Sequence, residues 1–67
     1  MFNFAQRLKE LRIENGLSQD ELAKQVGLTH TAIGLWELDK RVPNLNAVIA
    51  LADFFGVSLD YIAGRED

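Results

Sequence analysis

The feature that most limits what this chain can become is its punctuation. Gly16, Gly27, Gly56 and Gly64 each follow an apolar stretch at helical spacing, where a helix C-terminus favours glycine. Good helix-opening residues begin the next stretches: Ser18, Thr29, Asn44 after Pro43, and Ser58. Ser18-Gln19-Asp20-Glu21 is a capping box, in which the serine hydroxyl and the glutamate carboxylate each satisfy a backbone N–H left over at a helix start. Leu17 with Leu22, Leu28 with Ile33, and Val57 with Ile62 are placed as hydrophobic staples. Asn3 is expected to cap the first stretch, with Gln6 at the reciprocal position. The pattern predicts five helices, over about 4–15, 19–26, 30–38, 45–55 and 59–63. Apolar residues recur with the helical period, as in Phe4, Leu8, Leu11 and in Leu45, Val48, Ile49, Ala52, Phe55. No alternating pattern competes for a strand, so the expected fold is all-α. The fourth stretch is apolar on most faces and is expected to be the central helix.

Size and composition narrow the function. At 67 residues the chain is expected to form a single domain over 1–67. A domain this small buries only about 60% of its unfolded surface, so it depends on close helix packing, a partner subunit, or both. With no cysteine and one histidine, it has no disulfide framework, iron–sulfur cluster, thiolate metal site or multi-histidine site, and no cofactor is expected. An apolar content of 48% is too high for a disordered chain. The longest unbroken apolar run, Ala47–Ala52, has six residues, too few to span a membrane. Met1-Phe2-Asn3-Phe4 does not read as a signal peptide, and a cytoplasmic protein is expected. The net charge is −3, but residues 1–42 carry six basic against six acidic groups. The acidity lies beyond them, where Arg65 stands against Asp53, Asp60, Glu66 and Asp67. The N-terminal part can therefore still present a basic edge to a polyanion.

The stretch from Gln19 to Leu38 is the most specific. One helix ends at Gly27 and the next begins at Thr29, which is the spacing of a helix-turn-helix, whose second helix can enter a DNA major groove. Ala23 must be small because the second helix crosses it, and Gly27 supplies a positive φ at the turn. Leu22, Val26, Leu28, Ile33 and Trp36 are expected to bury the motif; at this spacing Trp36 is core rather than a base-stacking residue.

Gln19-Asp20-Glu21-Leu22-Ala23, then Val26-Gly27-Leu28-Thr29, Ile33, Trp36-Glu37, Pro43, and Phe55-Gly56-Val57-Ser58-Leu59-Asp60-Tyr61 together resemble the phage repressor and Cro (XRE-like) family of helix-turn-helix domains. The likeness runs from about Arg7 to Gly64. It implies a five-helix domain that binds double-stranded operator DNA as a homodimer and regulates transcription, in the sense of repression. It implies base contacts from His30, Thr31, Ala32, Gly34 and Leu35, and phosphate contacts from Gln19, Thr29, Lys40, Arg41 and Asn44. It also implies an ion pair between Arg12 and Glu37 that ties the first helix to the recognition helix.

This chain departs from the family's pattern at the reading face. Many relatives carry Ser, Lys, Gln or Arg around positions 34 and 35, where Gly34 and Leu35 stand here. Glycine in a helix interior costs about 1 kcal/mol relative to alanine, so Gly34 marks either a close backbone approach to DNA or a surface that does not bind it. No arginine or lysine is available for guanine, and Leu35 suits a thymine methyl. Asp39 replaces the usual glycine after the recognition helix and can adopt a left-handed conformation, less easily than glycine. The dimer surface is expected at Phe54, Val57, Leu59, Tyr61 and Ile62, with Asp53, Asp60, Glu66 and Asp67 repelling across the two-fold axis. Nothing supports an enzyme: there is no nucleophile–base pair, metal cluster or glycine-rich phosphate loop. The competing reading is an antitoxin-like or other protein-interaction module on the same fold, for which acidity, Gly34 and Leu35 speak. A third is the N-terminal domain of a longer repressor.

Overall fold

A computed structural model describes residues 3–65. It has five helices: α1 (Phe4–Glu14), α2 (Gln19–Val26), α3 (His30–Glu37), α4 (Leu45–Phe55) and α5 (Leu59–Ala63). No strand occurs among the described residues. Relative to the sequence reading, α1 and α3 each end one residue earlier, with Asn15 and Leu38 in the cap positions.

The caps explain the boundaries. Ser18 Oγ accepts from the Glu21 N–H at 3.0 Å, and Glu21 Oε1 accepts from the Ser18 N–H at 2.8 Å, completing the capping box. Thr29, Asn44 and Ser58 accept from the N–H groups of Ala32, Ala47 and Tyr61. Asn3 does not behave as expected. It makes no side-chain cap; its Nδ2 donates to Gln6 Oε1 at 3.1 Å, so the amide bonds the side chain that was to assist it. Its backbone N–H donates instead to Ala63 O at 3.1 Å, tying the start of α1 to the end of α5. That approach requires Gly64, where a Cβ would lie 2.5 Å from the Asn3 nitrogen.

The core is Leu8 and Leu11 of α1, Leu22 and Ala23 of α2, Ile33 and Trp36 of α3, Ala47, Leu51 and Ala52 of α4, and Ile62 of α5. Leu17, Leu28 and Val57, the outer staple residues, pack against it. Trp36 meets Phe4 edge to face, ring centroids 6.2 Å apart. α1 rests on α3 and α5, and α2 on α3 and α4. The expectation that α4 is central is corrected. It buries one face only, and Leu45, Ile49 and Phe54 remain exposed. Four short helices are too few to surround a fifth, so the apolar surplus of α4 lies at the surface.

Candidate nucleic-acid interface

The motif is built at the α2–α3 turn. Gly27 takes φ 72° and ψ 30°, and the Leu28 N–H returns to Ala23 O at 2.9 Å, turning the chain within three residues. Ala23 is buried beneath α3, where a larger side chain would push the helices apart. With Ile33, Trp36 and Glu37 turned inward, α3 presents Thr31, Gly34, Leu35 and Leu38 along its outer side. These positions follow the i, i+3, i+4, i+7 spacing of one helix face. Ala32 differs from expectation: it packs against the core beside this stripe rather than within it. Leu38, 66% exposed, was not anticipated, although its place seven residues after Thr31 marks it.

His30 is exposed at the N-terminal edge of the stripe, with Nδ1 4.0 Å from Asp20 Oδ1. Asp20 also meets Lys24 Nζ at 3.2 Å. Glu21, tied to the Ser18 backbone N–H and hydroxyl, has a carboxyl held below its usual value. The first turn of α2 thus carries acidic side chains beside N–H groups that have no acceptor within the helix.

Behind α3 lies a fully paired ion cluster. Arg12 Nε donates to Glu37 Oε2 at 2.7 Å and Nη2 to Glu37 Oε1 at 2.9 Å, while Nη1 donates to Leu17 O at 2.8 Å. The side chains are 12% and 4% exposed. The hydrogen bond to Glu37 raises the Arg12 guanidinium above its usual value, with burial opposing, so the arginine stays charged at any pH at which the fold is used. Gln19 joins this cluster, its Nε2 donating to Glu37 Oε1 at 3.2 Å.

The same side chain accounts for Gly34. A Cβ there would sit 3.2 Å from Gln19 Oε1, tighter than ordinary van der Waals contact. Glycine at this position accommodates the Gln19 amide against α3. One Gln19 N–H is committed to Glu37 and the other remains a donor.

α3 ends in a Schellman motif: the Lys40 N–H bonds Leu35 O at 2.9 Å and the Asp39 N–H bonds Trp36 O at 3.0 Å. Asp39 holds φ 60°, the one non-glycine residue at positive φ among those described. The turn sets Lys40 and Arg41 on the surface directly after the stripe. Thr29 Oγ1 and Asn44 Oδ1 are used as caps, which leaves the hydroxyl hydrogen and the amide Nδ2 as donors.

The expected dimer surface is partly corrected. Ile62 is 0% exposed and belongs to the core of the single chain. Val57 and Tyr61 are half-buried against that core, and Arg7 lies 4.1 Å over the Tyr61 ring. Phe54 and Leu59 are exposed. Glu66 and Asp67, assigned to charge repulsion, lie outside the described residues, as do Met1 and Phe2. The sequence reading missed Val42, 91% exposed, and Leu45, which border a groove of about 590 Å³ with Phe4, Val48, Leu59 and Ala63. Two acids, Asp39 and Asp60, and two bases, Arg41 and Arg65, rim it. No helix among the described residues is long and apolar enough to cross a membrane.

A helix-turn-helix family model matches residues 8–62, which takes in the α2–α3 turn, the α3 stripe and the Arg12–Glu37 cluster. The chain belongs to the helix-turn-helix family. Within it the chain is of the XRE-like, phage repressor and Cro group, and the family is one of DNA-binding transcription regulators rather than enzymes. The helix-turn-helix chain is 34% identical over 64 residues to the HTH-type transcriptional activator BcrR of Enterococcus faecalis, covering 96% of itself and 31% of that protein. It is equally identical to the uncharacterized HTH-type transcriptional regulator YobD of Bacillus subtilis, of which it covers 57%. Among solved structures it is similar to the SOS-response transcriptional repressor LexA from Eubacterium rectale, at TM-score 0.85 and 26% identity over 96% of this chain and 66% of that one. The chain thus spans about a third to somewhat over half the length of the two curated relatives.

Proposed function

We propose that this helix-turn-helix chain binds duplex DNA, with α3 in the major groove, as the DNA-reading part of a transcription regulator. The observation that carries the reading is the outer stripe of α3 with the N-terminus of α2 set against it, Gln19 over Gly34 and Asp20 beside His30. Lys40 and Arg41, both exposed, follow α3 directly in the chain. His30, Thr31, Gly34 and Leu35 face bases in this reading. Gln19, Thr29, Lys40, Arg41 and Asn44 hold phosphates, Thr29 and Asn44 through the donors that capping leaves over. The work is done in the cytoplasm, where the DNA is. No cofactor takes part.

One recognition helix reads too few base pairs to single out a genomic site. Two copies related by a two-fold axis, their α3 helices about 34 Å apart, would read a near-palindromic operator. Exposed Leu59 supports that pairing together with Val42 and Leu45, with which it borders the groove, and Phe54 is exposed on α4. The rim has balanced charge, so it can meet its own copy without net repulsion. Repression follows when such a dimer covers a promoter; the similar proteins include an activator and a repressor.

The test is the salt dependence of binding to a random-sequence duplex. Each phosphate contact contributes a slope of about −0.9 in log K against log salt. Removing Arg41 from both copies should flatten the slope by about 2. Retention that is absent at low salt overturns the reading in favour of the protein-interaction module, which the apolar Leu35 and Leu38 would suit.

A further inference from the structure

The outer stripe of α3 is unusual for a surface that recognises nucleic acid. Thr31, Gly34, Leu35 and Leu38 offer one hydroxyl and otherwise only carbon. His30 adds an imidazole at one edge, with Asp20 beside it. The carboxamide nearest the stripe, that of Gln19, is hydrogen-bonded to Glu37 and lies over Gly34. Lys40 and Arg41 stand beyond the helix end, after the Schellman turn.

Major-groove recognition has a fixed vocabulary. Guanine is singled out by the paired donors of Arg or Lys on O6 and N7, and adenine by the carboxamide of Asn or Gln on N6 and N7. The stripe contains none of these four residue types. Apart from the Thr31 hydroxyl, which can bond the edge of either base type, what it contains matches the 5-methyl group of a pyrimidine, which makes apolar contact with side-chain carbon.

We propose that the chain specifies its site through pyrimidine 5-methyl groups, with the Leu35 side chain and the Thr31 methyl packed on them. The inference rests on the DNA-binding reading above and deepens it. Specificity then comes from excluding water between methyl groups rather than from hydrogen bonds to purine edges. The leucine is already half-buried, which limits the side-chain freedom lost on contact. Gly34 adds no side chain of its own and is covered by the Gln19 carboxamide, so the carbon that the stripe can offer comes from Thr31, Leu35 and Leu38.

The chemistry provides a test that leaves base pairing unchanged. Deoxyuridine in place of thymidine removes only the methyl, and 5-methylcytosine in place of cytosine adds only the methyl. Duplexes enriched from a random library would be resynthesised with deoxyuridine at each thymine in turn, and binding measured at fixed salt. Removing a methyl from contact with Leu35 should weaken binding about three- to fivefold, from the area it buries. At that same position, 5-methylcytosine should bind more tightly than cytosine by a similar factor. Leu35→Ala should abolish both differences while leaving the salt slope unchanged. Thymine and deoxyuridine binding alike at every position overturns the inference and leaves the DNA-binding reading standing. Failure to retain any duplex at low salt overturns both and assigns the stripe to a protein partner.

Discussion

Replacing Arg12 with methionine keeps an unbranched apolar stem and removes every donor that Glu37 faces except Gln19 Nε2. The Glu37 side chain is 4% exposed, so its carboxylate cannot recover the loss from water. Breaking a buried pair on one side costs about 3–5 kcal/mol. The surviving Gln19 bond places this case at the lower end, about 3 kcal/mol. A chain of this length is stable by only about 3–10 kcal/mol in total, so Arg12→Met should leave a barely folded domain. Glu37→Leu strands a less buried partner, since Arg12 is 12% exposed and keeps Leu17 O. Its cost should be smaller, about 2 kcal/mol. The double variant Arg12→Met/Glu37→Leu replaces an ion pair by apolar contact and should return to within about 1 kcal/mol of the parent. Urea unfolding followed by Trp36 fluorescence and far-ultraviolet circular dichroism gives all four stabilities. Additive losses would refute the coupling. A larger loss for Glu37→Leu than for Arg12→Met would refute the burial argument that orders them.

Gly34→Ala should gain little stability in the parent, because the helix-propensity gain of about 1 kcal/mol is offset by displacing Gln19 from Glu37. In a Gln19→Ala background the full gain should appear in the same urea melts; equal gains in both backgrounds would show that the Gln19 contact does not matter. Asp39→Gly relieves a side chain at φ 60° and should stabilise by up to about 1 kcal/mol, read as a raised melting temperature. Glu21 is held below its usual value in the fold, so its contribution is present above the unfolded-state value and is lost as pH falls through the carboxylate range. Glu21→Gln should therefore flatten the acid limb of a stability–pH profile and leave its neutral region parallel to the parent.

The helices were legible because local rules set them: Ser18, Thr29, Asn44 and Ser58 cap through contacts with residues three positions on, and these depend on nothing distant. Asn3 failed for the opposite reason, since its position is fixed by the far end of the chain at Ala63 and Gly64. The Arg12–Glu37 contact joins residues far apart in sequence and was reached through the family likeness, not through spacing. Gly34 has its explanation in a side chain from another helix, which no pattern within α3 contains. Ile62 was assigned twice, as staple and as interface, and burial decides for the staple. Apolarity marks which residues avoid water, but not whether one chain or two supply the cover, which is also why α4 was misplaced at the centre. Val42 carried no periodic signal, standing in a loop beside Pro43.

Selection from a randomised duplex library, run in parallel with the parent and with the His30→Ala/Thr31→Ala variant, measures the central claim directly. The parent should enrich two short inverted half-sites about one helical turn apart. The variant should enrich a changed consensus within each half-site, while their spacing, set by the dimer, stays the same. An unchanged consensus in the variant, or no enriched sequence with the parent, would contradict the assignment of α3 as the reading helix.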